Sequence, residues 1–216
     1  MGKNAETEGL VRLLVDKYAK SKTDFFFVEI GAGDGVCNDF IHDFILKYHW
    51  HGVLIEPVQY LYEKLVRQYK GVSRLSFENV AISDRQETRD FYHLRETSDA
   101  MPVWYDQLGS FNRDVVMSHK DEIPNLEEYL MKEPVPCVTL TSVFEKYHIR
   151  HLDLLQIDAE GFDYEIIKSI PFGDLRPQMI RYEHKHLKPV VQEECLRFLR
   201  REGYAVLPEG CDTFAY

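Results

Sequence analysis

The chain lacks a basic excess. Its 216 residues carry 26 Lys and Arg against 36 Asp and Glu, a formal net charge of −10. A binder of phosphate backbones needs a basic face, so no nucleic-acid partner is expected. It also lacks any window of about 18 uncharged apolar residues, so no membrane span is expected. Cysteine is sparse, and Cys37, Cys137, Cys195 and Cys211 include no C-x-x-C pair. That argues against a zinc ribbon or a dithiol redox motif. Charges such as Glu8, Arg12, Asp16 and Lys17 interrupt the first 24 residues, so no apolar stretch of a secretory signal stands there. Scattered cysteines without such a signal predict reduced thiols and a cytoplasmic protein. Pro/Gly/Ser-rich linkers, repeats and low-complexity tracts are missing too, which predicts a single domain over residues 1–216. What the chain does have is apolar substance: 44% hydrophobic and 13% aromatic residues, enough to bury a sizeable core.

Apolar spacing sets the expected elements. Leu10, Leu13, Leu14 and Tyr18 recur at helical intervals in residues 7–20. Residues 25–30 are a compact apolar run that stops at Gly31, as a buried parallel strand does. A helix is predicted over 38–48, a strand over 52–55, a helix over 58–70 and a third strand over 75–82. Residues 88–94 alternate as an added strand. Residues 95–133, rich in charge, aromatics and turn formers, have no clear period and read as an insertion on the acceptor side of the site. Residues 135–140 are extended, and Ser142 with Glu145 suggests a capping box. Strands over 152–157 and 179–182 follow, then a helix from Pro189 through Arg201 with Val190, Cys195, Leu196 and Leu199 inward. Residues 204–207 and 213–216 flank a turn and predict a closing hairpin. Strands alternating with helices predict an α/β fold with an open, mostly parallel sheet covered on both faces. Ligands of such sheets sit beyond the C-terminal strand ends.

The first candidate site is there. Glu29-Ile30-Gly31-Ala32-Gly33-Asp34-Gly35 ends a strand in an acid and turns through three alternating glycines. A dinucleotide loop has the spacing G-x-G-x-x-G, with the pyrophosphate on a helix N-terminus. Here the spacing is G-x-G-x-G, followed by Asp34 and Asp39. Acids at that point repel a pyrophosphate and attract a sulfonium, which favours S-adenosylmethionine (SAM). Alone, the loop equally suits a ligand-free turn. Glu56 ends the second strand, where a carboxylate accepts hydrogen bonds from both hydroxyls of an adenosine ribose. SAM and NAD share that ribose, so Glu56 supports a nucleoside site without choosing between them. Asn79 and Ser83, in the segment 77–84 that ends the third strand, are candidates for contacting adenine, or simply turn residues.

The second site combines Asp158-Ala159-Glu160-Gly161 with Glu183-His184-Lys185-His186, again at strand ends. A hydroxyl is a weak nucleophile at neutral pH, so a base must take its proton as it attacks a methyl carbon. Asp158 and His184 are the candidates, with Glu160 and Glu183 supporting. Asp158 as a helix cap and His184 as a surface residue are the plainer alternatives. Asp, Glu and His together also suit a divalent Mg²⁺ or Mn²⁺.

With these residues in place, the sequence resembles the FkbM family of SAM-dependent methyltransferases. The resemblance rests on FVEIGAGDG, VLIEP, ENVAISD, LTSVFEKY, LLQIDAEGFDYEII, RYEH and DTFAY, spread from about residue 25 to 216. The family loop resembles D-x-G-A-N-x-G, whereas Glu29 supplies the acid here and Gly33-Asp34-Gly35 covers the Asn position. The resemblance implies a class I methyltransferase (Rossmann-like) fold, a three-layer sandwich with about seven strands and a C-terminal antiparallel hairpin. It implies SAM as cofactor, bound by Glu29, Gly31, Gly33, Asp34, Glu56 and Asn79. It also implies O-methylation of a small-molecule hydroxyl acceptor, a sugar or polyketide-like compound. Residues 107–113 lie where the family varies. The alternatives are an NAD(P)-dependent oxidoreductase and a non-catalytic binding protein on the same fold.

Overall fold

In the computed structural model, which describes the backbone of residues 2–216 and side chains from residue 7 onward, the elements follow in the order α1 (Gly2–Lys20), β1 (Phe26–Ile30), α2 (His42–Tyr48), β2 (His51–Ile55), α3 (Gln59–Gln68), β3 (Leu75–Glu78), β4 (Ala81–Ile82), β5 (Glu87–Leu94), β6 (Gly109–Ser110), α4 (Arg113–Met117), α5 (Leu126–Tyr129), β7 (Leu130–Val138), α6 (Leu140–Lys146), β8 (Leu154–Ile157), α7 (Asp163–Lys168), β9 (Met179–Glu183), α8 (Pro189–Arg201), β10 (Val206–Glu209) and β11 (Asp212–Ala215).

Seven strands form the main sheet in the order β10-β11-β9-β8-β1-β2-β3. The five from β9 to β3 run parallel, β11 runs antiparallel to β9, and β10 closes the edge antiparallel to β11. Strand order reverses between β1 and β8, which opens a crevice at their C-terminal ends. The central strands read as unbroken apolar runs because both faces are covered. Phe27, Leu54 and Leu154 join a cluster with Val11, Val15, Ile41, Phe44, Ile45 and Leu65 from α1–α3. Val28, Ile30, Val53, Ile55, Leu155 and Ile157 join the opposite cluster with α6, α7 and α8. Phe25, Trp50 and Phe44 stack at 3.8 and 5.4 Å, and burying each such ring contributes roughly 1.5–3 kcal/mol.

Several expectations change in detail. The third strand divides: Leu75–Glu78 stays beside β2, while Ala81–Ile82 pairs with β7. Asn79 makes the break, its amide donating to the Glu56 and Pro57 carbonyls at 2.9 and 3.1 Å. β4 thereby enters a second sheet, β4-β7-β5-β6, of which the sequence suggests an added strand over 88–94 and an extended stretch over 135–140 but not their pairing. In α1 the buried stripe is Val11, Val15 and Ala19, while Leu10 and Leu13 are 45% and 61% exposed. A stripe at i, i+4 and i+8 turned to the sheet points the leucines outward. α2 begins at His42 rather than 38, because Asp34 and Asp39 tie residues 34–41 into side-chain-capped turns. The cap of α6 is Thr139, whose hydroxyl accepts from the Ser142 N–H at 3.1 Å, and not Ser142. In α8 Val190 is exposed, while Cys195 and Leu199 are buried.

β5 and β7 pair from Glu87 opposite Cys137 to Leu94 opposite Leu130, so the expected insertion closes at residue 129 rather than 133. Between those strands Tyr105, Leu108, Val116, Ile123 and Leu126 bury one another in a small core of their own. All four cysteines are free, and no helix among the described residues is long and apolar enough to cross a membrane.

Candidate active site

Sheet register lines up the polar strand ends. Glu29 lies beside Gln156, and Gln156 beside Arg181. One residue further along stand Ile55, Ile30, Ile157 and Tyr182, a mostly apolar row that ends at Thr213. The next step brings Glu56, Gly31, Asp158, Glu183 and Asp212 to the edge. Side chains alternate across a strand, so the polar residues cap an apolar floor. Above them lies a cavity of about 420 Å³ lined by both candidate sites and by the insertion, within the range of about 300–1,000 Å³ usual for small-molecule sites.

The glycine loop folds back on β2. Gly31 and Ala32 donate to the Ile55 carbonyl at 2.9 and 3.1 Å. The Gly33 N–H donates to Glu56 Oε2 at 2.9 Å, and the Val58 N–H to Oε1 at 2.8 Å. Glu56 is only 4% exposed. Burial pushes its carboxyl up to about 7, against the pull of the two N–H groups. Each Glu56 oxygen has one backbone donor and a second acceptor position remaining. Glu29 is buried too, and its Oε2 has no hydrogen-bond partner. Burial first, and then Asp39 beside it, hold the Glu29 carboxyl well above the usual range.

Two of the expected cofactor residues do other work. Asp34 Oδ1 accepts from the Val36 and Cys37 N–H groups, both at 2.9 Å, and the side chain holds the loop rather than lining the cavity. Asn79, as above, turns the chain behind Glu56 and does not line it either; Ser83 is buried against Asp84.

On the other side of the cavity Asp158 is free of the capping role. Asp163 takes it, accepting from the Gly161 and Ala159 N–H groups at 3.2 and 3.4 Å. The exposure of Asp158 is to the cavity. The walls of the crevice desolvate its carboxylate, and Glu160, Asp163 and Asp212 add repulsion, so its pKa stands well above normal. Glu183 is raised for the same reasons, burial first and then Asp158. Glu160, 8% exposed, and Glu183 both face His186. His184 does not join them. Its Nδ1 pairs with Thr213 Oγ1 at 3.0 Å, outside the cavity, and burial lowers its pKa. After β9 the chain turns, the Leu187 N–H donating to the His184 carbonyl at 3.1 Å, and this turn sets His186 against Glu160 while His184 stays on Thr213.

Other site residues went unread. Arg181 lines the cavity, pairs with Asp212 at 2.7 Å and covers the Phe40 ring at 4.4 Å. Asp39 was read only as a charge near a helix start. His119, from the insertion, packs between the Trp104 and His186 rings; nothing in its sequence surroundings marks it. Trp104 and Phe111 line the cavity, whereas Tyr105 is buried in the insertion's core and donates to the Arg95 carbonyl. The insertion reaches the glycine loop through Cys37 Sγ to the Val103 carbonyl at 3.0 Å and Asn38 to Gln107 at 3.1 Å.

So many raised carboxyls have a measurable consequence. Glu56 and Asp163 both stand at about 7, well above the unfolded value of roughly 4. Ionising them therefore costs more in the folded chain than in the unfolded one. The stability they leave intact is fully present below about pH 4 and is lost as pH rises through 7. Without ligand, the melting temperature is expected to fall by roughly 5 °C or more between pH 5.5 and 8. Asp163→Asn should flatten part of that slope. A melting temperature that is level or rising over the window refutes this.

Comparison with known proteins places this architecture. Residues 29–206 match the methyltransferase FkbM domain. A crystal structure of methyltransferase FkbM from Methylobacillus flagellatus KT aligns with a TM-score of 0.54 at 11% identity, over 89% of this chain and 44% of that one. This chain thus spans less than half the length of that relative. A precorrin-6y C5,15-methyltransferase from Geobacter metallireducens GS-15 aligns at 0.47 and 10% identity, over 95% of this chain and 87% of that one. A ribosomal protein L11 methylase from Lactobacillus delbrueckii subsp. bulgaricus aligns at 0.46 and 9% identity, over all of this chain and 78% of that one. No curated protein matches the sequence. The fold is that of class I methyltransferases, and since the domain match runs from Glu29 of the glycine loop to the first residue of the closing hairpin, the chain belongs to the FkbM methyltransferase family.

Proposed function

We propose that this chain is a SAM-dependent O-methyltransferase acting on a hydroxyl of a polyhydroxylated small molecule, a sugar or polyketide-like compound. The observation that carries the reading is one cavity with two chemically different walls. On one wall a glycine loop meets the buried Glu56 and Glu29; on the other stands the uncommitted Asp158. The first wall fits SAM. Glu56 has an acceptor position left on each oxygen for the ribose hydroxyls, and the Glu29–Asp39 pair offers negative charge to a cationic ligand. When bound, SAM supplies an electrophilic methyl group on a sulfonium.

The chain's own residues do the rest. Glu56 orients the nucleoside, and the main chain at Gly33, with nothing within 4 Å of where a Cβ would stand, leaves room for close approach. Asp158 takes the proton of the attacking hydroxyl; a carboxyl with a raised pKa suits that task near neutral pH. Glu160 and Glu183 accept hydrogen bonds from neighbouring acceptor hydroxyls. Trp104 and Phe111 provide apolar faces for a ring. The acidic lining disfavours an anionic acceptor and, with the acidic net charge, a nucleic acid.

Removing Glu56 tests the cofactor half. Loss of two charge-assisted hydrogen bonds should cost about 1.5–3 kcal/mol, or about 10- to 150-fold in SAM affinity for Glu56→Ala. Calorimetry that finds unchanged affinity in a folded variant refutes the placement. An NADH titration gives the contrasting result: tight NADH binding with no SAM binding would favour an oxidoreductase.

A further inference from the structure

The geometry points to a first-row divalent metal site built from Glu160, Glu183 and His186, beside Asp158 on the acceptor wall. One carboxylate oxygen of each Glu and one imidazole nitrogen lie within 4.8 Å of one another. His186 Nε2 is 3.0 Å from Glu160 Oε2 and 3.8 Å from Glu183 Oε2. Two atoms each about 2.1 Å from one ion stand about 3.0 Å apart at a right angle and about 3.8 Å apart at a wider one.

The polar accounting is the independent observation. Glu160 is 8% exposed, and Glu160 Oε2, Glu183 Oε2 and His186 Nε2 are all buried without a hydrogen-bond partner. An imidazole N–H aimed at Glu160 would make a hydrogen bond at 3.0 Å, yet neither atom has one. Three orphaned ligand atoms converging from two strand ends are costly unless something sits between them. His119 packs its ring against His186 at 5.4 Å and shields it from solvent.

Three chemical points follow. One imidazole with two carboxylates suits Mn²⁺, Fe²⁺ or Zn²⁺ better than Mg²⁺, which takes oxygen ligands and keeps its waters. The histidine of the cluster is His186, and His184 takes no part in it. Three protein ligands leave coordination positions open toward the cavity. Resting on the methyl-transfer reading, those positions would take two adjacent oxygens of the acceptor, a vicinal diol or catechol, and make the bound hydroxyl more acidic; its proton passes to Asp158.

Metal uptake is measured without any reaction. The full chain is stripped with a chelator, dialysed and titrated with Mn²⁺, with the free-ion EPR signal as readout and Zn²⁺ as competitor. One Mn²⁺ per chain is expected, displaced by Zn²⁺. Glu160→Gln and His186→Gln should each weaken uptake at least about tenfold, since even partners one shell further out are worth about 10- to 100-fold. Thermal unfolding checks each variant, and Glu183→Gln replaces either one that fails to fold. No uptake, or uptake undiminished in either variant, overturns the site. SAM calorimetry on the same samples separates the two readings. SAM binding without Mn²⁺ uptake removes only the metal, and Mn²⁺ uptake without SAM binding removes only the methyl-transfer reading.

Discussion

Asp158→Asn is expected to lower methyl-transfer turnover by about 10²–10⁴-fold, the usual worth of a positioned base, while SAM affinity changes little. Of the side chains on the acceptor wall, Arg181 is engaged with Asp212 and Glu160 and Glu183 face His186. His184 is spent on Thr213 outside the cavity. Asp163 does the local capping, which leaves Asp158 with no bond to make among the described residues. Asn keeps the shape and removes the proton acceptor. The variant should therefore fold normally and fail chemically. His184→Ala is expected to cost less than about tenfold. Single-turnover kinetics with saturating SAM is the measurement. Normal turnover in a folded Asp158→Asn variant defeats the base assignment, and the rate enhancement would then rest on proximity and orientation.

Gly31→Ala is expected to damage both fold and site. Gly31 sits at φ +78°, and a Cβ there would lie 1.8 Å from the carbonyl oxygen of Asp158. That oxygen is main chain at the end of β8, tied in by the Asp158 N–H to the Ile30 carbonyl at 2.8 Å. No side chain can rotate away, so relief requires parting two central strands. Backbone strain and overpacking together should cost about 3 kcal/mol or more, with SAM affinity falling as the loop moves. Gly33→Ala is the control. It has φ +53° but nothing within 4 Å of the added carbon, so only the left-handed backbone cost of roughly 1–2 kcal/mol applies. Chemical denaturation of both variants makes the comparison. Equal losses at the two positions would mean that the contact with Asp158 does not matter.

Residues 26–30, 52–55 and 189–201 were legible because a doubly covered strand and an amphipathic helix write their burial into local hydrophobic pattern. Glu29, Gly31, Gly33 and Glu56 line the cavity, a placement visible locally because a strand-end acid and a positive-φ turn call for particular residue types at fixed offsets. Asp34, Asn79 and His184 were equally conspicuous and serve the chain instead. A polar side chain at a strand end reads the same whether it faces a ligand or ties down a loop.

By itself the sequence determined the mostly parallel α/β architecture, the closing hairpin and the place of the glycine loop at a strand end, since each follows from neighbours within a few residues. Tertiary structure decided what depends on residues far apart in the chain. It chose Val11 and Val15 over Leu10 and Leu13 as the buried face of α1, by the direction in which that helix meets the sheet. It built the second sheet, whose β4–β7 pairing joins Ala81 to Cys137. It brought His119, Asp39 and Arg181 to the cavity and set His186 against Glu160. Local pattern reports which face of an element is apolar, and only the register of seven strands and the path of the insertion decide which polar groups meet above it.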